Sequence, residues 1–269
     1  MSYILNYKLT RTKHKYVGTI LLIHGYCSSM EQWKFYIPFF LKKGYDCLLI
    51  DLPGFGKSPR PKAKYTMDMI TGYVIRTIEK IDEYRKEIVW HGIGFSFGGI
   101  VVLNVQSKMK LFNKIICIST PIYIDNYPLK NITKRCQVKV VNTMINKYYS
   151  GDVTYRLLDL IASVLNRSIY NLIVSANPDP NAVKSILNDV ILHPEESTVP
   201  ALNCLQNNVD TIHWIHGTLD KFCSKSHAKK VCKKYPTLIR LYLYRCGHHP
   251  LQSIPNKVLS RIFQILDTT

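Results

Sequence analysis

Glu87-Ile-Val-Trp-His-Gly-Ile-Gly94-Phe-Ser96-Phe-Gly98-Gly99 is the stretch that decides how this chain folds. An apolar, β-prone run through Val89, Trp90 and Ile93 ends in a glycine-flanked serine. From Ser96 to Met109 the pattern turns helical, with Ile100, Val101, Leu103, Asn104 and Val105 as a mostly apolar face. A strand that passes directly into a helix must turn sharply, and Gly94 and Gly98, two residues either side of Ser96, stand where a side chain would collide with that turn. A serine at such an apex stands clear of its backbone with amide donors beside it, which is the condition for a hydroxyl to attack a carbonyl.

Outward from the turn, short β-rich runs alternate with helical periods. Segments 17–24, 45–52, 87–95, 114–120, 211–216 and 238–245 read as strands, and 3–10 as an edge strand. Segment 31–43 reads as a helix after Ser28-Ser29 as its cap. Segment 67–81 places Ile70, Val74, Ile78 and Ile81 on one face, and 255–266 is amphipathic. This alternation predicts a mostly parallel sheet with helices on both faces, whose functional site lies at the carboxyl ends of its strands. Between Ile122 and Asn208 the alternation stops. Helical patterns at 131–148, 153–165 and 181–192, separated by breaker clusters such as Asn177-Pro-Asp-Pro180, read as an inserted cap after a sixth strand. The domains are therefore 1–121 as the first part of the core, 122–208 as the helical cap, and 209–269 as the second part of the core.

Composition excludes several classes. A hydrophobic fraction of 46% rules against disorder, and no apolar run approaches the roughly 18 to 20 residues that span a bilayer. Met1 to Lys15 is broken by Asn6, Lys8 and Arg11 and lacks the apolar block of a signal peptide, so a cytoplasmic location is expected. That location makes the glycosylation patterns at Asn131 and Asn166 chance matches. The 8 cysteines include no C-x-x-C pair, and Cys47, Cys117 and Cys246 fall in or beside apolar strands, so buried free thiols are expected. The net charge of +18 is carried by the ends of the chain. Residues 1–64 hold 11 Lys/Arg against 3 Asp/Glu and 220–269 hold 10 against 2, whereas 125–210 balance at 8 and 8. Lys221, Lys225, Lys229 and Lys233 would form one basic stripe on a helix. The stripe is either a solvated face or a surface for an anionic partner, such as a membrane. Nucleic acid is not expected, because no binding motif occurs and the tyrosines do not interleave with the lysines.

Four further groups of residues fall into register with the turn at Ser96. Ile23-His24-Gly25-Tyr26 follows one strand, and Asp51-Leu-Pro-Gly-Phe-Gly56-Lys-Ser58 follows the next. His216-Gly-Thr-Leu-Asp220 and Cys246-Gly247-His248-His249 follow the last two. Together they resemble the α/β-hydrolase superfamily along nearly the whole chain outside the cap, with Ser96, Asp220 and His248 in the order that family uses. The resemblance implies Ser96 as nucleophile, His248 as the base that takes and returns its proton, and Asp220 as the carboxylate that orients the imidazole. It implies that Tyr26 and Phe97 supply backbone N–H groups to an oxyanion hole, so that replacing their side chains would test little. No cofactor and no metal are implied, and the partner is a small-molecule ester.

Alternatives stand beside these roles. His249 neighbours His248 and is a second candidate base, and Asp125 is a second candidate acid. Cys246-Gly-His-His faintly resembles a metal cluster but lacks a second ligand group of suitable spacing. Asp51 reads as structural, fixing the loop beneath the site, and His24 and His91 as hydrogen-bonded core residues. Serine at the nucleophile position disfavours the alkyl-enzyme chemistry of epoxide hydrolases and haloalkane dehalogenases. Phe95 departs from the histidine or tyrosine that often precedes the serine, which makes the surroundings more apolar. The expected activity is hydrolysis of a carboxylic ester, fatty-acyl or lysophospholipid esters included. A C–C bond hydrolase, thioesterase, amidase or acyltransferase would show the same triad, and a non-catalytic small-ligand receptor or interaction module is the alternative outside enzymes.

Overall fold

The computed structural model describes residues 3–81, 88–122, 178–191, 193–206 and 211–268. Strands β1 (Tyr7–Thr10), β2 (Gly18–Ile23), β3 (Tyr45–Ile50), β4 (Trp90–Phe95), β5 (Phe112–Ile118), β6 (Ile212–Gly217) and β7 (Ile239–Tyr244) form one sheet in the order β1-β3-β2-β4-β5-β6-β7. All neighbours are parallel except β1, which pairs antiparallel with β3 at the edge. Each strand expected from the sequence is present with ends that differ by a few residues; β5 starts at Phe112, two residues earlier than expected, and β6 ends at Gly217, one later. The strand before the expected cap is the fifth of the described strands, one fewer than the sequence reading counted.

The period of two in a pleated strand divides the core into two layers. Leu21 and Ile23 of β2 join one hydrophobic cluster, which holds helices α2 (Met67–Glu79) and α3 (Phe97–Met109) and the described residues between Ala182 and Leu205. Ile20 and Leu22 join the other, which holds α1 (Ile37–Lys42) and the C-terminal helix Pro255–Leu266. Ile70, Val74, Ile78 and Ile81 are all buried, as their spacing requires. Helix α3 is covered on nearly all sides rather than along one stripe, because it lies centrally between α2 and the segment 194–205.

Several elements differ from the sequence reading for local reasons. Segment 31–43 is not one helix. A 3-10 turn at Met30–Trp33 is followed by α1, which starts with Pro38 in its first turn, where a missing N–H costs nothing. Ser28 and Ser29 do not cap it. Their hydroxyls are buried without partners among the described residues, and the Asp51 carboxylate takes the Met30 N–H at 2.7 Å. Segment 181–192 is helix α4 (Pro180–Ile186) running into a π-helical stretch at Leu187–Ile191. Helix α5 (Pro194–Leu205) lies where the sequence reading named no helix; Pro194 sits at its start and Pro200 lies inside it. Helix α6 (Lys225–Lys234) carries Lys225, Lys229 and Lys233 at four-residue spacing, but Lys221 lies before its cap Ser224 and leaves the stripe. Helices α7 (Pro250–Ser253) and α8 (Pro255–Leu266) close the chain.

The expected helices 131–148 and 153–165, Asp125, Cys136, Asn131 and Asn166 lie outside the described residues. The described end of the expected cap joins the main core: Ala182, Val183, Ile186, Leu202 and Leu205 pack in the cluster of α2 and α3. Cys27, Cys47, Cys117, Cys223, Cys232 and Cys246 are free thiols. No helix among the described residues is long and apolar enough to cross a membrane.

Candidate active site

Ser96 has φ 51° and ψ −119°, a backbone conformation that costs an L-residue energy and persists only when its surroundings enforce it. Two glycines make the turn sterically feasible. A Cβ on Gly94 would overlap the Gly98 carbonyl, and a Cβ on Gly98 would overlap the Ile23 carbonyl at the end of β2. The turn is tied into the sheet by Ser96 N–H donating to Ile118 O at 2.7 Å. The hydroxyl therefore stands at the carboxyl ends of β4 and its neighbours.

The other expected residues arrive from the ends of β6 and β7. A Cβ on Gly217 would overlap the Gly247 carbonyl, so the two strand ends run together only because position 217 is bare. Leu219 N–H to Cys246 O at 3.0 Å fixes the two loops against each other. This brings His248 Nε2 to 3.1 Å from Ser96 Oγ and His248 Nδ1 to 2.7 Å from Asp220 Oδ2. Asp220 Oδ1 accepts from Phe222 N–H at 2.8 Å and Cys223 N–H at 2.9 Å. Burial pushes the Asp220 carboxyl upward, but hydrogen bonding and attraction from His248 and the Cys223 N–H outweigh it, and the net direction is down. A carboxylate that is ionised and saturated on one oxygen leaves the other for His248, which puts the proton on Nδ1 and the free lone pair of Nε2 toward Ser96.

His249, the other candidate base, is turned away from this line. Its ring stacks on Phe95 at 4.9 Å, and burial together with His248 holds it down to about 4. Phe95 also stands edge-on to His248 at 5.3 Å and fills the space against Gly25, where a Cβ would come within 2.8 Å of its ring. Phe222 flanks His248 at 5.2 Å and is 45% exposed, and Leu219 beside it is 58% exposed, so the imidazole sits between an inner aromatic and an outer apolar rim.

Tyr26 follows β2, the parallel neighbour of β4, and Phe97 is the first residue of α3. The Phe97 N–H therefore has no acceptor within its helix. The loop before Tyr26 is held by Gly25 N–H donating to Gln32 Oε1 at 3.0 Å. His24 works on the same loop. Its Nε2 accepts the Leu52 N–H at 2.9 Å, so its Nδ1 bears the proton and donates to Gly25 O at 2.8 Å. Burial lowers its affinity for a second proton. His91, in contrast to the sequence reading, leaves its buried Nδ1 without a hydrogen bond among the described residues. Asp51 takes three donors, Asn6 Nδ2 and Met30 N at 2.7 Å and Lys57 N at 3.0 Å, and a Cβ on Gly56 would overlap its carboxylate.

Sequence reasoning missed two neighbours of the line. His216 Nε2 bonds Cys223 O at 2.7 Å and lies 3.7 Å from Asp220 Oδ2, bracing the loop from below. Cys223 joins Asp220 and His248 in a group whose ligand atoms lie within 4.8 Å of one another, so the one histidine of Cys246-Gly-His-His with acidic and thiol company finds it in the loop after β6. Burial and Asp220 push the Cys223 thiol well up, keeping it protonated, and His248 already occupies Asp220 Oδ2, an arrangement that does not suit a thiolate metal site. Neither contact has a local signal in the sequence.

Residues 18–253 match the family described as alpha/beta hydrolase fold. The chain belongs to that family and is an enzyme of hydrolase type. It is 22% identical over 254 residues to the pimeloyl-[acyl-carrier protein] methyl ester esterase of Legionella pneumophila (strain Paris), covering 90% of this chain and 92% of that protein. It is 29% identical over 107 residues to the uncharacterized hydrolase YugF of Bacillus subtilis, a match that spans 39% of this chain and 38% of that protein. Among solved structures, the esterase from Exiguobacterium antarcticum superposes with a TM-score of 0.71 at 15% identity, over 98% of this chain and 96% of that one.

Proposed function

We propose that the protein is a serine hydrolase that cleaves a carboxylic ester through an acyl-enzyme at Ser96. The observation that carries this reading is the continuous line from Ser96 Oγ to His248 Nε2 at 3.1 Å and from His248 Nδ1 to Asp220 Oδ2 at 2.7 Å. As the Ser96 oxygen bonds the ester carbonyl carbon, its proton passes to His248 Nε2, and the Asp220 carboxylate stabilises the imidazolium. The backbone N–H groups of Tyr26 and Phe97 take the charge that develops on the carbonyl oxygen, a contribution of about 3 kcal/mol for each such donor. The imidazolium returns its proton to the departing alkoxide, which leaves as the alcohol. Water then repeats the sequence on the acyl-enzyme: His248 removes its proton, the hydroxide oxygen bonds the acyl carbon, and Ser96 regains its proton as the acid departs.

The Legionella relative, named for a methyl ester, supports a carboxylic ester as substrate. The exposed Leu219 and Phe222 beside His248, with Lys221 between them, support a long acyl chain or lysophospholipid and peripheral contact with an anionic membrane. The test is turnover of nitrophenyl esters of increasing acyl length by wild type and Ser96→Ala. The variant is expected to lose about 10⁴-fold or more in kcat; retention within tenfold would remove Ser96 from the reaction. Sedimentation with anionic vesicles should weaken as salt screens the lysines, and binding that ignores salt contradicts the electrostatic contact.

A further inference from the structure

We propose that the Tyr26 side chain is a positioning residue that ties the oxyanion hole to helix α4. The inference rests on the reading above, in which the Tyr26 N–H is one of the two oxyanion donors. The Tyr26 hydroxyl donates to Val183 O at 2.7 Å across 157 positions of sequence, so a residue of the loop after β2 is fastened to the first described helix of the expected cap segment.

Helix α4 is itself fixed from below. Asp179 N–H donates to Gly54 O at 2.7 Å, the Tyr65 hydroxyl donates to Asp179 Oδ2 at 2.6 Å, and Gly54, at φ 82°, is the bare position against which the Ala182 side chain packs. Phe55, next in that loop, stands edge-on to both Tyr26 at 6.2 Å and His24 at 5.8 Å. His24 in turn holds Gly25 O. The contacts thus close a ring from His24 through Gly25, Tyr26, Val183, Asp179 and Gly54 to Phe55 and back.

The peptide joining Gly25 to Tyr26 is planar and trans, so its C=O and N–H point in opposite directions. With Gly25 O held by His24 on one side and the Tyr26 side chain held by Val183 on the other, the direction of the Tyr26 N–H is set at both ends. A movement of α4 therefore pulls on the donor, and a charged oxygen held by the donor resists movement of α4. The family resemblance assigns a role to the backbone at this position; the hydroxyl adds one that the backbone alone lacks.

Tyr26→Phe removes one oxygen and keeps the ring against Phe55, so it breaks the link to Val183 together with the hydroxyl's contact with the Cys27 thiol, and the exchange at 181–186 tells the two apart. The variant is expected to lower kcat about tenfold on both nitrophenyl acetate and nitrophenyl octanoate with KM within twofold of wild type, because the donor is misplaced in the transition state rather than lost. Hydrogen exchange supplies a readout that does not depend on turnover. Amides 181–186 and that of Tyr26 should exchange faster together in the variant, and a phosphonate on Ser96 should slow exchange at 181–186 in wild type but not in Tyr26→Phe. Wild-type kcat in the variant, or a KM increase confined to the octanoate, overturns the proposal, as does exchange at 181–186 that ignores the substitution. A wild type that neither turns over esters nor takes the phosphonate at Ser96 instead overturns the esterase reading, and exchange at Tyr26 and 181–186 still decides the link.

Discussion

Asp220→Asn separates orientation of His248 from mere occupancy of the pocket. Wild-type Asp220 presents two acceptors: Oδ1 serves the Phe222 and Cys223 N–H groups at 2.8 and 2.9 Å, and Oδ2 serves His248 Nδ1 at 2.7 Å. Asparagine has one oxygen for these three donors. If that oxygen faced His248, the amide NH₂ would confront two backbone donors, and leaving both unsatisfied in a buried loop costs about 1 to 3 kcal/mol each. If it stays with the backbone, both of those bonds survive and the NH₂ faces His248 Nδ1, which must then accept. The second arrangement is lower in energy. It moves the imidazole proton to Nε2, so His248 donates toward Ser96 instead of accepting from it. The expected result is a loss of about 10⁴-fold in kcat, equal to about 5.4 kcal/mol of activation free energy, with urea unfolding shifted by only about 1 kcal/mol. Turnover of nitrophenyl acetate at pH 8 and urea melts read the two quantities. An asparagine variant that keeps kcat within tenfold of wild type would refute the assigned hydrogen-bond direction.

The same geometry yields two further expectations. Gly94→Ala puts a Cβ onto the Gly98 carbonyl, whereas Gly247→Ala meets nothing within 4 Å. The first should destabilise by about 2 to 3 kcal/mol and depress turnover, the second should change stability by less than about 0.5 kcal/mol, and equal effects in urea melts would contradict the steric reading of the turn. His91, His213 and His249 are each held down to about 4, mainly by burial, so the unfolded chain takes up their protons near 6.5 and the folded chain only near 4. Their contribution to stability is therefore present above pH 6.5 and is lost as pH falls toward 4. His91 alone accounts for about 2 kcal/mol between pH 7 and 5, and His91→Leu should flatten the pH dependence of urea unfolding by that amount; an unchanged slope would show that His91 is protonated in the native state.

The sequence was most readable where one local pattern forces one local structure. Gly94, Ser96 and Gly98 specify a turn that only bare flanking positions permit, and the apolar runs of β2 to β7 have no other stable use than a covered parallel sheet. Helix 67–79 is marked at both levels, by its buried face and by the Thr66 side chain, which accepts from Met69 N–H at 3.2 Å. Helix α5 went unread, and its prolines show why position matters more than presence: Pro194 lies in its first turn, as Pro38 does in α1, and Pro200 is carried inside it because Ala201, Leu202 and Leu205 are buried against the core. The cap on the 3-10 turn was misassigned because its acceptor, Asp51, is 21 residues away. The contacts that shape the site most finely, Tyr26 with Val183 and His216 with Cys223, pair a side chain with a distant or neighbouring carbonyl, and any residue type supplies a carbonyl.

Mass spectrometry after exposure to a fluorophosphonate addresses the catalytic assignment most directly. Wild type should gain a single adduct, mapped to the peptide that contains Ser96, and Ser96→Ala should gain none while still folding; His248→Ala should react far more slowly at the same residue. An adduct on any other residue, or equal labelling of the alanine variant, would contradict the account.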